Sequence, residues 1–538
     1  MTSKLFLRTR LLSLSLLLTA APLWAATPTS GMVEPASPTL TYRSGPLPPN
    51  TSSDTANPAC TPAQTCDDFA LTVNLPANYL ATHPYARLFV AARWPINNFT
   101  AYGLYLIDAS GKVVDSQITE RDPVAVSMPA LAGTYTLRLT LQPGGQPDFV
   151  DTTVQLVENP AGPAPAGLPP RYTQFQSPPG LGNNTAAEMN IGYNPHTQRV
   201  MTLGYVQTLR TTFAENLTPA MPESCEAQWE DVSEPTTTQN TNDPILFTDQ
   251  QTGRTFVSQL QAGTAGDSIF VYTDDDGDNW SLSTTGTNNG GIDHQTVGSG
   301  PYVTGAGAGP TGDYPHAVHY CSQSVGVAFC IRSDDGGDTF TEPAVLKTSA
   351  DCDGYTPNIH GHVRVAADGT AYVPDRNCGG QQAVIVSEDS GANWEVRRIP
   401  GTTAGDNDSS TAVADDGTLY HCYLASDGRP HVTVSRDKGL NWINDREVSA
   451  RAFVEKAVFT NAIAGDGDRA ACAFLGTTTR GNFQSPDFPG LWHAYVAQTY
   501  DGGNTWHTVN GTPDDPAQGA GGICLGGTTC IENRNLLD

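Results

Sequence analysis

The sequence predicts an all-β protein, a six-bladed β-propeller preceded by a small N-terminal β-sandwich, and three observations support this prediction. The 538 residues include 53 glycines and 40 prolines but only 15% charged residues, a balance typical of short strands and tight turns. Alternating apolar and polar residues recur between positions 69 and 157. One eight-residue motif then recurs five times at the spacing of a propeller blade.

The chain begins with a predicted export signal, residues 1–26. Lys4, Arg8 and Arg10 precede an apolar stretch at 11–18, and Ala25 and Ala26 form a small-residue cleavage site. That stretch is shorter than the roughly 20 apolar residues that cross a bilayer, and no later segment is longer, so no membrane span is predicted. Residues 27–59, rich in proline, serine and threonine, are predicted to be a flexible leader. We therefore expect a protein secreted to the extracellular space or the periplasm.

Charge and cysteine content narrow the possible partners. Without the three basic residues of the signal, 25 of the 28 basic residues remain against 55 acidic ones. Such a surface repels nucleic acid, which binds through Lys and Arg contacts with phosphate. Eleven cysteines in an exported chain indicate disulfides and leave one thiol, expected at Cys225, without a partner. The pairs considered are Cys60/Cys66, Cys321/Cys330, Cys352/Cys378, Cys422/Cys472 and Cys524/Cys530. We expect a monomer without a cofactor.

Residues 60–158 are predicted to form the β-sandwich accessory domain. Strand-like runs occupy 69–75, 87–94, 102–107, 134–141 and 153–157, and period-two alternation places one face of each strand on a core. Residues 159–184 carry seven prolines and are predicted to be a semi-rigid linker.

Residues 185–538 are organised by the repeated motif, here called the octet. Each copy fits S/T-x-D-x-G-x-T/N-W/F, and the aspartates at 275, 335, 389, 437 and 501 are separated by 60, 54, 48 and 64 residues. The carboxylate is suited to accept backbone N–H groups across a tight turn, the glycine allows a positive φ, and the aromatic residue packs between strands. A further pair of strands around N-P-H-T-Q, within 188–212, has no octet, so the octets and this pair predict six blades.

The octets are similar to the Asp-boxes, or BNR repeats, of the sialidase-like β-propeller superfamily, and the resemblance covers about two thirds of the chain. It implies a structural role for the octet aspartates at the rim and a sugar site at the centre of one propeller face. It also implies that a sialidase would clamp a substrate carboxylate with three arginines and use a Tyr–Glu nucleophile and an Asp acid/base group. The family's early Arg-Ile-Pro signature is missing, because Arg398-Ile399-Pro400 follows the third octet. The arginines considered for substrate binding are Arg364, Arg376, Arg469 and Arg534.

Two sets of residues outside the octets are candidates for catalysis. The histidines are His294, His316, His360 and His362, and the last two, being two apart, would share one face of a strand. They would act as acid/base groups, bind a metal, or be hydrogen-bonded within the propeller. The carboxylates are Glu188, Asp243 and Asp293, and a pair of them would serve glycosidic cleavage.

Three functions follow as hypotheses. The favoured one is a secreted sialidase-like enzyme, a glycoside hydrolase or related glycan-cleaving enzyme, that acts on an extracellular glycan at the propeller centre without a metal. The first alternative is a non-catalytic propeller that binds a glycan or protein, and the second is a histidine-dependent metalloenzyme. Fold does not decide among them, because function depends on the site that a fold carries.

Overall fold

The computed structural model describes residues 25–54, 58–61, 64–95, 100–181, 189–204, 206–213, 227–238, 241–261, 268–285, 287, 293–324, 327–352, 360–525 and 530. Within these ranges the chain is nearly all β, with eight sheets, one short helix at Tyr79–Thr82 and 3₁₀ turns at Pro235–Thr238, Ser349–Cys352 and Ala450–Ala452. Among these residues no helix is long and apolar enough to cross a membrane.

The N-terminal region consists of two sheets that share one hydrophobic core, here called the N-terminal sheet pair. The strand orders are β1-β3-β8-β5-β6 and β2-β9-β4-β7. Phe69 and Leu104 from the first sheet pack with Val90 and Val126 from the second, because alternate side chains of each strand face inward. The strands are β1 (Ser30–Val33), β2 (Thr39–Ser44), β3 (Cys66–Val73), β4 (Arg87–Arg93), β5 (Tyr102–Asp108), β6 (Val113–Thr119), β7 (Val124–Pro129), β8 (Gly133–Leu141) and β9 (Val150–Val157).

The segment predicted to be a flexible leader, residues 27–59, contains two of these strands, and the prediction is wrong there. β1 pairs in parallel with β3, and β2 pairs antiparallel with β9. Tyr42 is buried and stacks on Phe69 with ring centroids 3.9 Å apart. The proline, serine and threonine content of the segment predicts flexibility, but the composition does not show that a few apolar side chains such as Tyr42 are buried in the core.

The remainder of the described chain forms six four-stranded antiparallel sheets, each a meander in chain order. Sheet 1 comprises β10 (Asn190–Asn194), β11 (Arg199–Gly204), β12 (Gln207–Phe213) and β13 (Ala227–Asp231); sheet 2 comprises β14 (Thr241–Thr248), β15 (Thr255–Gln261), β16 (Ser268–Thr273) and β17 (Ser281–Leu282). Sheet 3 comprises β18 (Asp293–Gly300), β19 (Ala317–Ser324), β20 (Val327–Ser333) and β21 (Ala344–Lys347); sheet 4 comprises β22 (Arg364–Val365), β23 (Ala371–Asp375), β24 (Ala383–Ser387) and β25 (Glu395–Arg398). Sheet 5 comprises β26 (Ser410–Val413), β27 (Leu419–Leu424), β28 (Pro430–Ser435) and β29 (Ile443–Glu447); sheet 6 comprises β30 (Lys456–Ala464), β31 (Ala470–Thr477), β32 (His493–Thr499) and β33 (His507–Asn510).

Successive sheets pack face to face, and their first strands contact one another from sheet 1 through to sheet 6. A separate apolar cluster fills each interface between neighbours. Between sheets 2 and 3, for example, Phe256 and Phe270 pack against Val318 and Tyr320. The first strands are therefore the innermost row, which is the arrangement of propeller blades.

In sheets 2 to 6 each octet forms four hydrogen bonds across the turn between the third and fourth strands, and this set of bonds is here called the clasp. In sheet 5, Ser435 Oγ donates to Asp437 Oδ1 over 2.9 Å and accepts the N–H of Gly439 over 2.9 Å. The N–H and Nδ2 of Asn441 donate to the two oxygens of Asp437 over 2.8 and 2.7 Å. The same four bonds recur in the other octets. The predicted hairpin geometry is thus present in all five copies.

A second repeated contact ties each octet to the sheet before it. The backbone carbonyl of the residue before the octet glycine accepts a hydrogen bond from a side chain of the preceding sheet. The donors are Arg210 to Asp276, Arg254 to Gly336, Arg332 to Ser390, Arg397 to Lys438 and Asn444 to Gly502, over 3.2, 2.9, 2.7, 2.8 and 3.4 Å respectively. This contact, here called the inter-sheet tether, joins sheets 1 to 6 in order.

The octets and the beginnings of the first strands lie at opposite ends of the sheets. In a meander the third strand runs parallel to the first, so the turn after the third strand lies where the first strand ends. The octets therefore mark one face, the octet face. The segments that lead into the first strands, and the turns between second and third strands, lie on the other, here called the entry face.

The N-terminal sheet pair docks on the entry face through buried charges. Arg87 Nη2 lies 2.8 Å from Glu455 Oε2, which Arg429 Nη2 approaches from the other side at 2.9 Å. Lys456 Nζ lies 3.1 Å from Asp115 Oδ2, and both side chains are buried. The loss of one partner of a buried ion pair is costly, because it leaves an uncompensated buried charge.

The proline-rich linker runs along the outer edges of the sheets. The carbonyls of Pro160 and Gly162 accept hydrogen bonds from Glu447 N and Arg451 Nη2, in and just after sheet 5. The carbonyl of Ala166 lies 2.9 Å from His507 Nε2 of sheet 6. Phe175 then contacts Phe213 of sheet 1, with ring centroids 5.2 Å apart. The linker therefore passes from sheet 5 to sheet 6 to sheet 1.

All five cysteine pairs considered from the sequence are within bonding distance, and Cys225 lies outside the described residues. The Cys422–Cys472 bridge joins sheets 5 and 6, and Cys352–Cys378 fastens the chain after sheet 3 to sheet 4. Such a set of disulfides is typical of proteins from oxidising compartments.

The clasp geometry predicts that an octet carboxylate contributes to stability. Asp389→Ala removes the acceptor for Ser387 Oγ and for the N–H and Nδ2 of Asn393. We expect the free energy of unfolding to fall by about 1–3 kcal/mol, because donors are left unpaired in the turn. Urea denaturation measures this change, with Asp514→Ala in an exposed loop as the control. Equal stability of the two variants would contradict the role assigned to the clasp.

Candidate functional site

Charged side chains from sheets 3, 4 and 5 meet on the entry face. His294 lies at the start of β18, Arg376 follows β23, and Asp408 precedes β26. His294 Nδ1 is 3.2 Å from Asp408 Oδ2, and Arg376 Nη1 is 2.9 Å from Asp408 Oδ1. Burial alone would raise the pKa of Asp408, but the Arg376 guanidinium and the His294 imidazole hold it well below its usual range. Asp408 is therefore an ionised carboxylate that lies between the Arg376 guanidinium and the His294 imidazole.

His294 has an unusual backbone. Its φ is +50°, and the pairing of β18 with β19 shifts between Asp293 and Thr296. A non-glycine residue in the left-handed region is strained, and a bulge changes the direction of its side chain. Strained residues of this kind concentrate at functional sites, so the bulge supports the choice of His294.

His360 lies beside this pair, and one of its ring nitrogens has no hydrogen-bond partner within the ranges that the structure describes. Its Nδ1 donates to the carbonyl of Gly361 over 3.0 Å, which leaves Nε2 in the acceptor form. The side chain is only 2% exposed, and Nε2 has no hydrogen-bond partner among the described residues. Burial lowers its pKa, and the charges of His294 and Asp408 are near enough to affect that pKa. His360 is thus a neutral imidazole whose Nε2 lone pair accepts no hydrogen bond from the described part of the chain.

His362 and Arg364 extend the site along the innermost row. His362 Nδ1 lies 3.2 Å from Thr296 Oγ1, and burial followed by the Arg364 charge lowers its pKa to about 3. Burial lowers the pKa of Arg364 to about 10, and this arginine donates to the carbonyl of Val363. Among the described carboxylates none forms an ion pair with Arg364. A guanidinium on the first strand of a sheet that has no carboxylate partner among the described residues is suited to bind an anionic group.

Lys347 and Asp375 form a buried ion pair behind His360. Lys347 ends sheet 3 and Asp375 ends the second strand of sheet 4, so both lie at the entry face. Neither this pair nor Asp408 is among the residues predicted from the sequence. Asp408 lies in D-N-D-S-S, which has the composition of an ordinary turn, and no spacing signal marks it.

The structure brings together His294, His360, His362, Arg364 and Arg376, but separates His316 and Arg469 from them. His316 lies just before β19, where Nδ1 contacts Asp249 Oδ2 at 2.6 Å. Tyr314 and Ser299 also donate to that carboxylate. This end of sheet 3 is the octet face, and about six residues of strand, roughly 20 Å, separate it from His294. The expected convergence of His316 with the other histidines is therefore corrected.

One of the remaining candidates lies on the octet face, two have backbones near the entry face, and two are outside the described residues. Arg469 lies in the exposed turn before β31 on the octet face and pairs with Asp466, so it is not part of this site. Asp243 lies in β14 and Asp293 begins β18, which places both backbones near the entry face, but their side chains are not described. Glu188 and Arg534 lie outside the described residues.

No metal cluster emerges at this site among the described side chains. Among all described residues, one group has three potential ligand atoms within 4.8 Å of one another, and it lies in the N-terminal region, not at this site. The group is Cys60, Cys66 and Asp68, and its two cysteines form a disulfide. The histidines of the entry face, as placed, do not converge on one point as a zinc or copper site requires.

No family model and no curated protein matches the chain. Solved structures with a similar arrangement include the Aleuria aurantia lectin in complex with Fucα1-6GlcNAc, at 11% identity and a TM-score of 0.38, covering 61% of this chain and 97% of the lectin. The NanB sialidase of Streptococcus pneumoniae matches at 9% identity and 0.37, covering 72% and 91%. The Hadza microbial sialidase Hz136 matches at 14% and 0.28, covering 80% and 87%. At these values the functional conclusions rest on the residues of the chain itself.

The lowered pKa of His362 predicts acid-sensitive stability. The folded state binds this proton less tightly than the unfolded chain, whose histidine pKa is about 6.5. Stability is therefore complete above about pH 6.5 and falls as the pH decreases toward 3. In His362→Gln the slope of unfolding free energy against pH should flatten by up to about 1.4 kcal/mol per unit. Denaturation between pH 8 and 4 measures it, and exposed His196→Gln serves as the control; equal slopes for both variants would contradict the prediction.

Proposed function

We propose that the six sheets are the blades of a closed six-bladed β-propeller, residues 185–538, and that the N-terminal sheet pair is a β-sandwich accessory domain. The path of the linker supports closure, because a chain that passes from sheet 5 to 6 to 1 runs between adjacent outer edges. The octets then occupy the outer rim of one face, and the entry face carries the site at the axis.

Within that fold we propose a secreted, sialidase-like glycan-cleaving enzyme that acts on an extracellular glycan at the entry face. The observation that carries this proposal is the buried His360 Nε2, unpartnered among the described residues, beside the ionised carboxylate of Asp408. A buried polar atom without a partner is costly unless a ligand satisfies it. A sugar hydroxyl is a suitable donor, because it gives one hydrogen bond and accepts others.

Each group of the site has a role consistent with its protonation state. Asp408, held ionised, stabilises the positive charge that develops at the anomeric carbon during cleavage. His360, held neutral, accepts a proton from a substrate hydroxyl or a water. Arg364 binds an acidic group on the sugar.

A second carboxyl group is needed as the general acid, and Asp293 is our choice. Asp408 is unsuitable because its pKa is lowered, whereas a general acid must hold its proton near neutral pH. Asp293 begins β18 directly before His294, and Asp243 lies in the neighbouring first strand as a second choice. Glu188 and Arg534 stay predictions from the sequence.

The surface charge limits the substrate. With 55 acidic residues against 28 basic ones, the protein repels a polyanionic glycan along most of its surface. We therefore propose a substrate that is either a neutral glycan or a glycan with a single acidic group, which would reach Arg364.

Non-catalytic glycan binding is the alternative, and one observation favours it. The two oxygens of Asp408 lie 2.9 Å from a guanidinium nitrogen of Arg376 and 3.2 Å from the imidazole Nδ1 of His294. A carboxylate neutralised in this way is a weak base and a weak nucleophile. In that case the same residues would bind a sugar without breaking its bonds.

A panel of fluorogenic glycosides, including a sialoside, tests these functions. We expect one glycoside to be hydrolysed equally well with and without chelator. Asp408→Asn and His360→Gln should each lower kcat by about 10²-fold or more, as the loss of a group acting in the transition state does. Arg469→Gln, a charge change on the octet face, is the matched control and should retain full activity.

Binding measurements separate the two functions. If no glycoside is turned over but a glycan array shows a ligand that the Asp408→Asn variant no longer binds, the protein is a lectin-like propeller. Turnover that survives both site substitutions would refute the placement of the site, and turnover lost with chelator would favour the metalloenzyme.

A further inference from the structure

The residues before β26 connect the candidate site with the N-terminal sheet pair. Asp408 is the site carboxylate, and the side chain of Asp406, two residues earlier, points the other way. Its Oδ1 accepts from Thr119 Oγ1 at 2.9 Å and lies 3.3 Å from Arg121 Nε. Its Oδ2 accepts from Gln117 Nε2 at 2.9 Å. These three donors lie on β6 or directly after it.

The main chain of the same residue faces the site. The carbonyl of Asp406 accepts from Arg376 Nη1 over 3.1 Å, and that nitrogen also lies 2.9 Å from Asp408 Oδ1. The N–H of Gly405 donates to the carbonyl of Arg376 over 3.3 Å. The segment is thus held between β6 on one side and the site arginine on the other.

The groups in this connection are sheltered from solvent. The side chains of Asp406 and Arg376 are 10% and 4% exposed, and Arg121 is 19% exposed. Charge-assisted hydrogen bonds in such surroundings are stronger than those in water and fix the orientation of both partners. In addition, β6 is an edge strand, so the propeller sheets cover an edge that would otherwise be open.

We infer that Asp406 is a positioning residue through which the N-terminal sheet pair sets the place of the Asp408 carboxylate against His294. The inference rests on the proposed function only in treating Asp408 as the working carboxylate. It makes the N-terminal domain a structural part of the site and not a detachable attachment module. The connection runs from Thr119 and Gln117 through Asp406 and Arg376 to Asp408 and His294.

Titration of the His294 imidazole by NMR in the full chain tests this inference without any glycan. Asp408→Asn is the reference variant, and we expect it to lower the pKa of His294 because it removes the opposite charge beside the imidazole. The double variant Gln117→Glu with Thr119→Val removes two donors to Asp406 and adds a repelling charge. We expect it to shift the His294 pKa downward by about 0.5–1 unit, as the withdrawal of a nearby opposite charge does. Asp406→Asn, which keeps the side-chain shape, should shift it in the same direction.

Two controls distinguish positioning from a general loosening of the interface. Thr119→Ser keeps the hydroxyl and should leave the titration unchanged. Ser127→Ala removes a hydrogen bond to Arg87 in the same interface without touching Asp406, and should also leave it unchanged. A wild-type titration of His294 in the double variant and in Asp406→Asn would overturn the inference, as would an Asp408→Asn variant that does not shift it. Because no substrate is present, these outcomes are independent of whether a glycan is cleaved.

Discussion

The inter-sheet tether is the contact on which the order of the six sheets depends. A tight turn with a glycine at positive φ leaves a backbone carbonyl that the turn itself does not use, and in every octet a side chain of the preceding sheet binds it. Four of the five donors are arginines, and each of these also contacts a carboxylate near its own strand. Hydrogen bonds that involve a charged partner contribute about 1.5–3 kcal/mol each. The octet thus holds its own hairpin and its neighbour at once.

This concentration of structural bonds on one face leaves the other face available for chemistry. The segments that enter the first strands carry no repeated motif, so they differ from sheet to sheet. His294 sits on a bulge, His360 precedes a two-residue strand, and Asp408 lies on the segment that leads into β26. Their convergence results from the sheet geometry, because the starts of neighbouring first strands lie side by side. A propeller can therefore change its site without a change in the contacts that hold the sheets together.

The extent to which the sequence predicts the structure follows from how each feature is encoded. The octets predict their own geometry, since the serine, aspartate and glycine that make the bonds lie within eight residues. His294, His360 and Arg376 were identified as candidates because their types are suited to chemistry, although nothing in the spacing showed that they meet. Asp408 was missed because an Asn-Asp-Ser turn is common and its partners lie in other sheets. His316 does not join the other histidines, because it lies at the opposite end of its sheet. The sequence shows that His316 flanks a strand, but it does not show on which face of the sheets that end of the strand lies.

The docking of the N-terminal sheet pair joins residues that are very far apart in the chain. The Lys456–Asp115 pair spans 341 residues, and the Arg87–Glu455 pair spans 368. The two N-terminal sheets emerge from the ribosome before sheets 5 and 6, yet the surface that buries Arg87 and Asp115 is completed only when sheets 5 and 6 have formed. Until then two sheet edges and several unpaired charges face solvent, and long-range closures of this kind are slow and prone to aggregation. Folding of this protein therefore has a vulnerable interval at a late stage, and the yield of folded protein depends on how quickly the last two sheets form.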